Sequence, residues 1–280
     1  MKFLEKKISK IEFIAILLKK AYDDDIFALA SQLAFHIVLS IFPFLIFVMS
    51  LIGVSHMNSN DVVNLLKTVF PENVFETIDK IIMEVTTSQS RGILGISIFA
   101  TVWTSSSGFR AVIKGVNKAN NIVDKRSFIK KVIISFMSTI ALALIILFTL
   151  IFLVFGRVIG KYISNLFPMG NSISYIWNLL RGGILTFILI LVIAAIYKFT
   201  PSIRLKWKDV LPGAIISTTG WIIVSVAFSY YINNFNNYSR IYGSLAAIFI
   251  LMIWTFLTSF IFLVGVEINS VILLKRQGKF

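Results

Sequence analysis

Six long apolar runs constrain this chain of 280 residues more than any other feature. Each run has at least 18 residues, and about 20 helical residues cross a hydrocarbon layer about 30 Å thick. The first run starts too late and is too long for a cleaved signal peptide. The sequence therefore predicts an all-α polytopic membrane protein with six transmembrane helices in a single domain, residues 1–280. The predicted spans are residues 33–54, 92–109, 132–155, 182–199, 210–232 and 243–266.

The composition agrees with a lipid environment. Hydrophobic residues make up 57% of the chain and charged residues only 14%, whereas about a quarter of the residues in a soluble domain are charged. Cysteine is missing from the sequence, which excludes disulfides, thiolate metal sites and cysteine nucleophiles.

The basic residues predict the orientation of the chain. Alternation of six spans places 20 of the 27 lysine and arginine residues on one side of the membrane. Basic loops stay on the cytoplasmic side, so both termini are expected there. The net charge of +14 is thus mainly a topology signal, and secondarily it indicates contact with anionic lipid headgroups. Membrane lipids are therefore the expected partners, and nucleic acid is not.

Two segments outside the spans have helical patterns of their own. Residues 1–24 have apolar side chains at helical spacing with lysines mostly elsewhere, which predicts an interfacial amphipathic helix. The acidic triplet 23–25 at its end is interpreted as a cap for the next helix rather than an ion-binding site. The long loop 55–91 has two apolar stripes separated by Pro71, which predict short helices at the outer face.

Polar residues inside the apolar spans are the candidates for function, because they are costly in lipid unless paired or hydrated. The first span has Gln32, His36 and Ser40 at four-residue spacing, before a proline. The predicted topology brings His36 and Glu267 to one level near the cytoplasmic face, where a histidine beside a carboxylate would suit a proton-linked gate or a headgroup contact. The candidate seam, a predicted substrate path, comprises Gln32, His36, Ser40, Pro43, Thr101, Ser105, Arg110, Asn117, Ser217, Gly220, Glu267 and Asn269.

Structural interpretations of the same residues remain open. Serine, threonine and glycine stripes also let helices approach closely and bond to one another. The imidazole of His36 could be satisfied by a backbone carbonyl, and Glu267 could reach water or pair with Arg110. Pro43 predicts a kink, which is either a hinge or a fixed shape.

Four segments in order resemble the YihY/BrkB family of bacterial inner-membrane proteins. They are "SQLAFHIVLSIFPFLIF", "VWTSSSGFRAVIKGVNKAN", "TPSIRLKWKDVLPGA" and "YSRIYGSLAAIFILMIWTFLTSFIFLVGVEIN". The resemblance extends over about residues 22–274 and implies a six-helix protein of the bacterial inner membrane. Members have carried the label ribonuclease BN, and others are linked to serum resistance or envelope lipid export. The family has no agreed catalytic residues to transfer.

The expected function is non-enzymatic transport or translocation of an amphipathic, lipid-linked or anionic envelope substrate. A nuclease needs clustered carboxylates and histidines, but the chain has only two histidines. No cofactor, metal or catalytic residue is expected, and a homo-oligomer is possible. The alternatives are a scaffolding membrane protein, whose polar stripes only pack helices, and a membrane enzyme such as a tRNA-processing ribonuclease.

Overall fold

A computed structural model describes residues 10–54, 94–166, 171–234 and 245–276. These parts of the chain form seven α-helices and no strand, as an all-α fold predicts. The predicted outer-loop helices in 55–91 lie outside the described residues, as do residues 1–9 of the amphipathic segment. The helices are α1 (Lys10–Asp23), α2 (Ile26–Val54), α3 (Leu94–Ala119), α4 (Phe128–Leu166), α5 (Asn171–Phe199), α6 (Trp207–Asn234) and α7 (Leu245–Arg276).

Four described helices contain a segment long and apolar enough to cross a membrane. A fifth is possible if α1 and the first part of α2, whose axes differ by 59°, form one bent span. The predicted count of six is therefore not confirmed. The second half of α3 carries Arg110, Lys114 and Lys118. The four segments are Phe128–Thr149, Gly182–Phe199, Trp207–Ile232 and Ile248–Arg276.

Helix α7 lies at the centre of the described bundle. It packs against α1, α2, α3 and α6, while α4 packs on α3 and α5 packs on α6. One apolar core joins Val116 of α3 to Val210 of α6 and Val266 of α7. A second core joins Leu33 of α2 to Leu263 of α7. Many other large apolar side chains remain exposed on the outside of the bundle, as expected of a surface in contact with lipid.

Helix α1 carries its apolar stripe on the outside. Ile11, Ile14 and Leu18 are 80%, 54% and 65% exposed, whereas Lys20 on the same helix forms contacts with α3 and α7. The exposed stripe is available to a membrane surface, as the amphipathic pattern predicts.

One end of the bundle collects the basic connections. Arg126 in the loop after α3 bonds to Thr200 in the loop after α5, and Arg276 at the end of α7 pairs with Asp209 at the start of α6. We call this region the basic end: Lys20, the loops 120–127 and 200–206, Asp209 and Arg276. Segments that the six-span topology assigns to one side thus lie together in the structure.

Candidate functional site

A cavity of about 630 Å³ opens at the basic end, between the last turns of α3 and the start of α4. We call it the basic pocket. It is lined by Arg110, Ile113, Lys114, Asn117, Lys118, Asn121, Ile122, Val123, Asp124, Phe128 and Lys131.

Positive charge dominates this lining. Arg110, Lys114 and Lys118 recur every four residues along α3, so they share one helix face. Lys131 adds a fourth cation from the first turn of α4. The single carboxylate of the lining, Asp124, is paired with Arg126 outside the lining and, at 3.8 Å, with Lys131. The pocket therefore presents an excess of donors and positive charge to a bound group.

Asp124 is held in its ionised form. The Arg126 guanidinium donates to both carboxylate oxygens at 2.8 and 2.9 Å, and the Arg126 backbone N–H donates to Oδ1 at 3.0 Å. These hydrogen bonds lower the pKa of the Asp124 carboxyl below its ordinary value of 3.8. Its role in the pocket wall is structural, because its oxygens are occupied.

The turn after α3 is fixed by its own backbone and by the neighbouring loop. Asn121 adopts a φ of 55°, and the Ile122 N–H donates to the Asn117 carbonyl at 2.8 Å, a helix ending in which asparagine is tolerated at the left-handed position. The Asn117 side chain accepts from the Ser202 N–H at 3.0 Å and donates to Asp124 at 3.3 Å. The Asn117 side of the pocket is thereby connected to the loop 200–206.

An apolar rim adjoins the cations. Ile113 is buried, whereas Val123 and Phe128 are 80% and 73% exposed. Phe128 begins α4 and its membrane-spanning segment, so the rim lies where a hydrocarbon layer would meet its headgroups. An anionic head with an apolar tail matches both surfaces.

Two of the predicted seam residues, Arg110 and Asn117, line this pocket. Arg110 donates to Ser106 Oγ at 2.7 Å, and Ser106 donates to the Trp103 carbonyl at 2.7 Å. Both bonds lie within α3 and connect the pocket residue Arg110 to the buried Ser106. Ser105 is also buried on α3, and the side chain of Thr101 lies outside the described residues.

The structure places a different partner beside Glu267. Its Oε2 lies 2.7 Å from the Lys20 ammonium of α1, and its side chain is fully buried. Within the described part of the chain, neither carboxylate oxygen has an aligned hydrogen-bond partner. The predicted juxtaposition with His36 therefore does not include a hydrogen bond, and Arg110 bonds to Ser106 instead.

Asn269 connects two helices. Its side-chain amide accepts from the Gly213 N–H at 2.7 Å and donates to the Val210 carbonyl at 3.0 Å. Both backbone groups belong to α6 and flank Pro212, which has no N–H of its own. A buried amide that both accepts from and donates to the backbone of α6 fixes α7 against α6.

The small residues of α6 lie in the same contact with α7. Ser217 Oγ donates to the Ile261 carbonyl at 3.1 Å and lies 2.8 Å from the Tyr197 hydroxyl. A Cβ on Gly220 would lie 3.0 Å from Ile261. These two predicted seam residues thus take part in helix packing, as one of the two sequence interpretations allows.

The polar row on α2 divides by burial. Gln32 is exposed, His36 is half-buried with its ring edge against Phe35, and Ser40 is buried. Ser40 packs where α3 has Gly108, since a Cβ there would meet the Ser40 hydroxyl at 2.3 Å. Helix α2 continues through the half-buried Pro43 to Val54.

Several residues of the pocket and of the buried ion pair were missed in the sequence. Lys114, Lys118 and Lys131 were assigned only to topology, although the four-residue spacing of the α3 cations could have indicated one face. Lys20 and Asp24 were assigned to the amphipathic helix and to a cap. Their contact is an ion pair with each other, and no local pattern predicts the approach of Lys20 to α7.

The fold and the pocket define an α-helical membrane protein with a basic site at one end of its bundle. The family model described as Virulence factor BrkB matches residues 17–280. The chain belongs to this family, as its four resembling segments predict.

Individual relatives agree with that assignment. YfkH of Bacillus subtilis (strain 168), whose name describes it as ribonuclease-like, is 34% identical over 87% of this chain and 88% of its own length. A UPF0761 membrane protein of Tolumonas auensis is 36% identical over 32% of each chain. Another, of Vibrio cholerae, is 31% identical over 39% of this chain and 37% of its own. No solved structure shows significant similarity.

Proposed function

We propose that this protein transports or translocates an anionic, amphipathic substrate, and that the substrate's head binds in the basic pocket. The observation that carries the proposal is the pairing of four cations with an apolar rim in one cavity. Such a pair of surfaces suits a phosphate-bearing headgroup attached to a hydrocarbon chain.

The electrostatics of the pocket support an anion. The Asp124 carboxylate is shared between Arg126 and, at 3.8 Å, Lys131, so Arg110, Lys114 and Lys118 are not balanced within the lining. Arginine and lysine donors are the usual protein partners of phosphate oxygens. The backbone bonds of the turn after α3 hold three of these cations on a rigid support.

Transport, rather than binding alone, is supported by the polar contacts that leave the pocket. The contacts from Arg110 to Ser106 and from Ser106 to the Trp103 carbonyl continue along α3 for about two turns beyond the pocket. A head that moved from one cation to the next would follow the same helix face. The proposed activity is non-enzymatic. The cations and amides of the pocket suit the binding of an anion, and the pocket's carboxylate, Asp124, is occupied by its hydrogen bond from Arg126.

A binding titration tests the pocket. Purified protein in a neutral detergent is titrated with dioctanoyl phosphatidylglycerol and, for comparison, dioctanoyl phosphatidylcholine. The double variant Lys114→Gln/Lys118→Gln should bind the anionic lipid roughly 10- to 30-fold more weakly, since each lysine contributes about 1 kcal/mol. Affinity for the zwitterionic lipid should stay low and unchanged.

Lys206→Gln/Lys208→Gln provides the matched control. Both lysines are exposed at the same end of the bundle but lie outside the pocket lining, and the change in net charge is the same. Equal losses in the two double variants would show that binding follows net charge, and the pocket would then have no special role.

Transport itself needs a flux assay. Liposomes that contain the protein and a fluorescent phosphatidylglycerol are treated with a membrane-impermeant quencher. Wild-type protein should expose the inner-leaflet probe, and the pocket variant should slow this exchange. Flux equal to that of empty liposomes, from folded protein that still binds the lipid, would reject transport and leave a binding protein.

The scaffolding alternative has an observation in its favour. Ser40, Ser217 and Asn269 contact neighbouring helices closely, so these polar residues serve packing. A scaffold would keep its helix-packing contacts and its function when the pocket cations are removed. Normal function of the Lys114→Gln/Lys118→Gln variant in cells would favour it.

A further inference from the structure

A buried ionic cluster joins α1 to the centre of the bundle. The Lys20 ammonium contacts the carboxylates of Asp24 and Glu267 and donates to the Ala119 carbonyl at 2.7 Å. The side chains of Lys20 and Asp24 are 10% and 11% exposed, and that of Glu267 is 0% exposed. We call these three residues the Lys20 cluster.

The charges of this cluster do not balance. Two carboxylates share a single ammonium, which leaves one excess negative charge beside the apolar core of α2 and α7. An uncompensated charge is costly in such surroundings, and proteins avoid it by pairing or neutralising the group. One further positive charge is therefore required while these three side chains are buried together.

Within the described residues, the charged groups on the other helices packed on α7 have other partners or line the basic pocket. On α6, Asp209 is already paired with Arg276 of α7. On α3, Arg110 donates to Ser106, while Lys114 and Lys118 line the basic pocket. On α2, His36 is the titratable side chain within Ile26–Val54. The charged neighbours of Glu267 are Lys20 and Asp24.

Burial identifies the carboxyl that takes the proton. Lys20 makes hydrogen bonds to Asp24 and to the Ala119 carbonyl, so these acceptors are satisfied. The side chain of Glu267 is 0% exposed, against 11% for Asp24, so ionisation is more costly at Glu267 than at Asp24. A proton on Glu267 would make the cluster neutral without breaking either bond of Lys20.

We infer that Glu267 is a proton-binding site: it carries one exchangeable proton that balances the Lys20 cluster. Loss of this proton restores the excess negative charge, which favours the opening of the contact between α1 and α7 to water. The site is formed by α1, α3 and α7, and it does not require that the basic pocket bind a lipid.

Infrared spectroscopy of the full chain in lipid nanodiscs tests this inference directly. A protonated carboxyl has a C=O stretching band that disappears on ionisation. Wild-type protein at neutral pH should show such a band, and it should vanish reversibly as the pH rises. Glu267→Gln, which keeps the size of the side chain, should remove the band. A titrating band that survives in Glu267→Gln would overturn the assignment.

Substitutions that change the charge of the Lys20 cluster provide a second test. Asp24→Asn leaves one carboxylate for one ammonium, so the midpoint for Glu267 should fall by about one pH unit or more. Lys20→Met removes the ammonium, and the midpoint should rise. Asp23→Asn is the matched control, since Asp23 is exposed beside Asp24, and its midpoint should equal that of wild type. The inference would be overturned if neither Asp24→Asn nor Lys20→Met changed the pH midpoint of the infrared band.

A monovalent metal ion is the competing source of positive charge. The titration is repeated in sodium, potassium and choline chloride, and equal midpoints are expected. A midpoint that falls as sodium concentration rises would assign the site to Na⁺ and reject the proton. No lipid substrate is added in any arm, so failure here is separate from failure of the transport proposal.

Discussion

At the scale of single residues, the close contact between α6 and α7 depends on two glycines. A Cβ on Gly265 of α7 would lie 1.9 Å from the Ser217 hydroxyl and 2.7 Å from the Gly213 carbonyl. A Cβ on Gly213 would lie 2.1 Å from the Gly265 carbonyl. Backbone approach of this kind between α6 and α7 is possible only where both side chains are absent.

Gly265→Ala is expected to destabilise the protein by about 1–3 kcal/mol or more, because the added methyl group has no space between helices that already touch. The measurement is thermal or denaturant unfolding in detergent. Gly183→Ala is the matched control, since its Cβ would meet nothing within 4 Å and alanine favours a helix. Equal stabilities of the two variants would contradict the close crossing of α6 and α7.

At the scale of elements, the loops of the basic end are joined by side chains rather than by a core. Arg126 connects Asp124 to the Thr200 carbonyl, and Asn117 connects α3 to Ser202. The ion pair between Arg276 and Asp209 joins the end of α7 to the start of α6. These contacts hold the helix ends that form the basic pocket.

Acid should weaken this arrangement. The pKa of Asp124 is lowered in the folded protein. Its ionised form therefore stabilises the fold at pH values above its ordinary pKa. This contribution is lost as the pH falls through the lowered pKa. Asp124→Asn should cost about 1–3 kcal/mol at about pH 7 and less at about pH 2, because the contribution declines below the ordinary pKa of 3.8.

Unfolding midpoints of wild type and variant at the two pH values provide the measurement. Lys125→Gln serves as the control, because Lys125 is an exposed neighbour in the same loop and should behave like wild type at both. A difference between Asp124→Asn and wild type that does not shrink in acid would refute the electrostatic explanation.

At the scale of the whole molecule, the basic end should face the cytoplasm. The chain has no native cysteine, so single cysteines report position without background. Lys125→Cys lies at the basic end, and Asn234→Cys lies at the far end of α6. In intact spheroplasts an impermeant maleimide should label Asn234→Cys at once and Lys125→Cys only after the membrane is opened. The reverse pattern would invert the topology.

Hydrophobic periodicity and charge distribution predicted the features of this protein that reflect its surroundings, lipid or water. Long apolar runs indicated helices in lipid, and the lysines and arginines grouped segments that do lie at one end. Boundaries were less certain, because helices extend past the hydrocarbon layer: α4 covers Phe128–Leu166, whereas its predicted span was 132–155. The count of six spans stays a prediction, because the described residues contain four apolar segments of sufficient length, or five if α1 and the start of α2 form one bent span.

Side-chain partners were the part that only the tertiary structure decided. The sequence by itself determined that Glu267, Asn269 and Ser217 are polar groups in apolar helices that need partners. It could not determine that these partners are Lys20, the backbone of α6 and the Ile261 carbonyl. The reason is geometric: each partner depends on how the helices rotate and cross. That arrangement is set by packing across the bundle, here by Gly213 and Gly265 above all.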